Sequence, residues 1–113
     1  MTEEMIAIGR RAVACRGWRW MPGMADLWGG RMREGDGIDR LHALPDLTDA
    51  ATLGCLLALV REAWGDASAY CYRGGGDELT GTWHVTIDQR THRVSRRGKS
   101  EAESLVATLE AAP

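Results

Sequence analysis

The segment DAATLGCLLALVREAWG, residues 49–65, constrains the fold of this chain more than any other. Leu53, Leu56, Leu57, Val60 and Trp64 recur at helical spacing, and Cys55, Ala58 and Leu59 fill much of the remaining circumference, leaving little for water before Arg61 and Glu62. A helix that is apolar on most sides must be covered on most sides, so it is expected to be the buried central helix. Asp49, or Thr48 one residue earlier, can accept from the free amides at its start, and Gly65 suits the left-handed position that ends many helices. The longest apolar run, LGCLLALV at 53–60, falls well short of the roughly 18 residues that cross a bilayer, so protein and not lipid is expected to cover it.

The rest of the chain must supply that cover. At 113 residues it is the size of one domain, and residues 1–113 are read as a single unit able to bury a core without disulfides. Thr2 can cap a first helix in which Met5, Ile8, Ala12 and Cys15 share a face, with Glu3 and Glu4 at its positive end and Arg10, Arg11 and Arg16 towards its negative end. In GWRWMPGM, residues 17–24, Trp18 and Trp20 alternate with Arg19 as a short strand would, and Pro22-Gly23 signals a turn. Leu27 and Trp28 before Gly29-Gly30 suggest a small hairpin, and residues 34–48 read as loop.

Tyr70 and Tyr72 alternate with Ala69 and Cys71 in a further strand before the glycine-rich RGGGDELTG. In the next strand Trp83, Val85 and Ile87 point one way, while His84, Thr86 and Asp88 are expected on a wet face. A tight turn at Gln89-Arg90 would pair it with THRVSR and set Val85 opposite Val94. Ser100 and Glu103 form a capping box before the apolar stripe Leu105, Val106 and Leu109. The fold class is therefore α+β: an antiparallel sheet packed against helices, in the order α-β(β)-α-β-β-β-α.

Three segments, GWRWMPGM, LPDLTDAATLGCLLALVREAWG and EAESLVATLEAAP, resemble a set of small proteins of proteobacterial phages and prophages, similar to the phage ABA sandwich family. The resemblance implies a phage origin and a helix-sheet-helix fold, and brings no catalytic residue with it. It also implies a setting in which small accessory proteins block host defences, as anti-CRISPR inhibitors do. The order of the last five elements, with RRGKSEAESLVATLE, resembles the double-stranded RNA-binding domain as well. That family places lysines against phosphates at the start of its last helix, where this chain has Glu101 and Glu103.

Candidate functional residues fall into two groups. Arg90, Arg93, Arg96, Arg97 and Lys99 form a run without an acid in a chain whose formal charge is -2, so the surface is expected to be polarised. Arginine forks bind carboxylates or phosphates bidentately, which makes the run a docking face for an acidic protein or a nucleic acid. Arg93 is expected on the outer side of its hairpin. Trp28, Tyr70 and Tyr72 are the aromatic candidates, as a contact surface or as the lining of a pocket for a small nucleotide. Trp18 and Trp20 read mainly as core, with Met21 and Met24 less settled between core and contact.

No other pattern carries chemistry. GGGD at 74–77 lacks the ending of a phosphate loop, and Asp36 and Asp39 lack the alternate ligands of a calcium loop. His84, expected to point outward, and His92, expected to point inward, share no metal-ligand spacing with each other or with Cys71, so neither metal nor cofactor is expected. Cys15, Cys55 and Cys71 are odd in number and form no CxxC, which points to a reducing, cytoplasmic setting, and none stands in a nucleophile motif. The expectation is a non-enzymatic binding protein whose partner is a host protein or protein–nucleic acid complex, with nucleic acid itself as the alternative and no membrane involved.

Overall fold

The free amides at the start of three helices meet the side chains that the sequence sets before them. In the computed structural model, which describes residues 2–34, 43–74, 82–88 and 93–113, Thr2 accepts from the Met5 amide at the head of α1 (Glu3–Ala14). Asp49 does the same for Thr52 in α2 (Ala50–Trp64), and Ser100 for Glu103 in α3 (Glu101–Glu110). Gly65 closes α2 with φ 63°, a backbone region that costs any residue with a Cβ. The capping box at α3 differs from the expected one in its return arm. The Glu103 carboxylate accepts from the amide of Lys99, 3.1 Å away, and not from that of Ser100.

Between α2 and α3 lie β1 (Tyr70–Arg73), β2 (Trp83–Asp88) and β3 (Arg93–Gly98), an antiparallel sheet in the order β1-β2-β3. The α+β class is thus as expected, and the detail differs in two places. Residues 18–33 form no strand: a single bridge joins Ala25 to Arg31 and another joins Asp26 to Pro45. Trp18 and Trp20 find no neighbouring strand to pair with, and instead pack edge to face at 5.5 Å against the core, partly buried. Met24, of the same stretch, is fully buried. The second difference is register. Val94 pairs with Ile87, and Val85 pairs with Arg96, a slip of two residues from the expected pairing. A slip of two keeps every side chain on its face, so Val94 is still opposite an inward-facing residue. The proposed turn at Gln89-Arg90 and most of the two loops at 34–48 and 73–81 lie outside the described residues.

One apolar cluster joins Ile8 and Ala12 of α1, Met24, Met32 and Leu47 of the long connection, Leu56, Leu59 and Val60 of α2, Val85 and Ile87 of β2, and Leu105, Val106 and Leu109 of α3. The helix at its centre is α3, not α2: α3 packs against all three strands and both other helices. Its buried polar residues are satisfied within the helix, Ser104 Oγ donating to the Glu101 carbonyl at 2.9 Å and Thr108 Oγ1 to the Ser104 carbonyl at 2.7 Å. The Trp64 indole N–H donates to the Thr108 carbonyl at 2.9 Å and ties α2 to α3. On α2 the buried stripe is Thr52, Leu56, Leu59 and Val60, whereas Leu57 is half-buried at its side. The last residue of β3, Gly98, is buried against the first turn of α3, where a Cβ would collide with the Ser104 amide nitrogen. No helix among the described residues is long and apolar enough to cross a membrane.

Candidate functional site

Cys71 fixes which way β1 faces. Its Sγ lies 3.4 Å from Ser104 Oγ of α3, so it points at the helix, and its chain neighbours Tyr70 and Tyr72 point to the opposite face. On β2, Val85 and Ile87 enter the core, which places His84 and Thr86 on the same outer face as the tyrosines. The wet face expected for His84 and Thr86 is corrected here: they are only 5% and 3% exposed. Alternation along β2 reports the face correctly, but the edge strand covers it. The Tyr72 ring stacks on the His84 imidazole at 5.2 Å and 18°, and Tyr70 is the register partner of Thr86.

The cover is itself open to solvent. Tyr70 and Tyr72 are 43% and 40% exposed, and their ring centroids are 5.6 Å apart at a tilt of 35°. Below them, His84 Nε2 is buried without a hydrogen-bond partner among the described residues. An unmade bond at a buried nitrogen is costly, and in native proteins it is uncommon enough to mark a place of interest. Sequence reading missed His84 as part of this site; the signal available was the pair of tyrosines two residues apart on the neighbouring strand.

The basic run meets this face through register. Arg97 stands opposite His84, which stands opposite Tyr72, and Ser95 stands opposite Thr86 and then Tyr70. Arg96 is paired with Val85 and Arg93 with Asp88. Lys99 follows directly and is exposed, and Arg90 and His92 lie outside the described residues. Across the strands and Lys99 the charged residues are Arg73, Arg93, Arg96, Arg97 and Lys99 against Asp88 alone, and alternation puts the positions of Arg93, Arg97 and Asp88 in the outer rows and those of Arg73 and Arg96 in the rows toward α3.

Trp28 is placed elsewhere. It is 72% exposed on a loop tip that Asp26 Oδ1 shapes by accepting from the amides of Trp28 and Gly30, both at 2.9 Å, with Gly29 at φ 85°. Among the described residues no ring contact joins Trp28 to the tyrosines, so the three aromatics do not line one pocket. A surface cleft of about 590 Å³ opens between the C-terminal ends of α1 and α3, lined by Cys15, Arg16, Gly17 and Leu109 and bridged by the Arg11–Glu110 ion pair at 2.6 Å. Burial pushes the Cys15 thiol in this cleft up, away from the reactive thiolate form, and Sγ donates to the Arg11 carbonyl. Burial raises the Cys55 and Cys71 thiols as well. No cluster of three or more His, Cys, Asp or Glu residues able to hold a metal occurs among the described residues. Asp36, Asp39 and the glycine-rich Gly75, Gly76 and Asp77 are outside them. Comparison with family models, with curated proteins and with solved structures finds no match to this chain.

Proposed function

We propose that this is a phage accessory protein that binds a host component and blocks it, an anti-defence inhibitor of the anti-CRISPR kind working in the host cytoplasm as a binder and not as an enzyme. The observation that carries the reading is the exposed Tyr70–Tyr72 pair, held on a strand whose other face is packed on α3. Tyrosine offers a large contact area with few rotatable bonds, which is why it anchors interfaces, and a strand backbone presents both rings at a low ordering cost. The strand order then puts the basic β3 across the same sheet, suited to an acidic host surface. The phage setting draws on the resemblance of GWRWMPGM and the α2 and α3 segments.

The test is genetic. In strains whose CRISPR or other defence system restricts a sensitive phage, expression of the protein is expected to restore plaque formation, and Y70A/Y72A is expected to lose most of that protection while remaining folded at the assay temperature. Failure to restore plaques across a panel of such strains, or full protection by the folded double variant, would overturn the reading.

A further inference from the structure

The outer sheet face combines two properties that one ligand class satisfies together. It offers two exposed aromatic rings on adjacent outward positions of one strand, 5.6 Å apart. It lies across from a basic strand, with Arg97 in the same cross-strand row as His84 and Tyr72. An acidic protein surface would answer the charge and could pack on the rings, but it does not present a π-face beside every negative charge. A duplex would answer the charge but keeps its bases stacked on one another, out of reach of a tyrosine face. Unpaired bases on a phosphate backbone answer both, because every base has a π-face and every linkage a negative charge.

We infer that the outer face of the sheet binds a short single-stranded nucleic acid, two bases stacking on Tyr70 and Tyr72 and the phosphates following the basic β3 and Lys99. This rests on the reading above that the tyrosine face is the docking surface, and it names the chemistry of what docks: an unpaired strand, such as the exposed part of a host protein–nucleic acid complex. Recognition by stacking is tolerant of sequence, so the affinity is set by strandedness and salt. The inferred mode is distinct from that of the double-stranded RNA-binding domain, because it uses the sheet face turned away from α3 and leaves Glu101 and Glu103 at the helix start uninvolved.

The experiment is fluorescence anisotropy of labelled short oligo(dT) and oligo(U) against the full chain, with a duplex of the same length as the comparison. Both single strands are expected to bind more tightly than the duplex, and each of Y70A and Y72A is expected to weaken binding roughly tenfold. Y72F keeps the ring and is expected to bind as wild type, which separates stacking from loss of fold. R97A is expected to lower the slope of log affinity against log salt by about 0.7, the loss of one phosphate contact. Binding of the duplex in preference, no binding of either single strand by folded protein, or wild-type affinity in Y70A/Y72A overturns the inference. If no strand binds while Y70A/Y72A still abolishes plaque protection, a protein surface is the occupant, and the inference alone falls. If strands bind through the tyrosines while no defence system is relieved, the inference is upheld and the anti-defence reading falls.

Discussion

Asp49 does three things with two oxygens. Oδ2 accepts from the Thr52 amide at 3.0 Å and from the Thr52 hydroxyl at 2.8 Å, and both oxygens take the Arg31 guanidinium, at 2.9 and 3.0 Å. Thr52 Oγ1, its proton committed to Asp49, accepts from the Ala25 amide at 2.8 Å, and Arg31 Nη1 also donates to the Gly23 carbonyl at 2.6 Å. One carboxylate thereby starts α2 and fastens the 23–31 loop to it. The Arg31 guanidinium first, and the Thr52 bonds next, hold the Asp49 carboxyl well below its ordinary 3.8. A carboxyl depressed in the folded state stabilises the fold above the unfolded value, and that contribution is lost as pH falls through the range between the two. Asp49→Asn is therefore expected to lower the denaturant midpoint at about pH 7, with the gap to wild type narrowing by about pH 2.5. A gap of equal size at both pH values would mean that the charge is not what matters. The cap itself could be read from the sequence, since a capping residue acts on amides three positions away. Its pairing with Arg31 could not, because nothing local in either segment signals the other.

Among the helices and strands, the same division holds between what a segment decides alone and what its neighbours decide. The apolar pattern of 53–64 specifies a helix but is too broad to rank its faces, and the packing against α3 selects Leu56, at 0% exposure, over Leu57. Leu56→Ala is expected to cost about 2–5 kcal/mol in denaturant melts and Leu57→Ala less than about 2 kcal/mol, since only the former empties a closed site. Equal costs would show that α2 presents a different face to the core. The strand pattern of Trp18 and Trp20 failed for a related reason: alternation makes a strand only where another strand offers its backbone, and here the bridges at Ala25 and Asp26 are the nearest approach. His84 was misjudged because alternation assigns a face and is silent about which neighbouring rings lie across it. Gly98 carried no sequence signal at all, yet β3 touches α3 there backbone to backbone, with a Cβ placed 2.9 Å from the Glu103 carbonyl carbon. Gly98→Ala is expected to destabilise by about 1–3 kcal/mol, because the contact is with main chain that cannot rotate away. A neutral result in the same melts would show that the junction has slack.

Across the molecule, the order of the last five elements was legible and their layering was not. Helix, three strands and helix appear where periodicity puts them, but which helix lies at the centre depends on how strongly each can be covered, and α3 is covered by the sheet on one side and by helices on another. The candidate site was half legible for the same reason: Tyr70 and Tyr72 were recognisable as aromatics on a strand, while their union with His84 and separation from Trp28 are products of the tertiary arrangement. The position of α3 has a bearing on how the protein is made. The helix that all the other helices and strands lean on is the last of them to leave the ribosome, so each of them emerges before the surface that completes its burial exists. The core therefore closes only once residues 101–110 are made, and until then the apolar faces that α3 covers are open to chaperones and proteases.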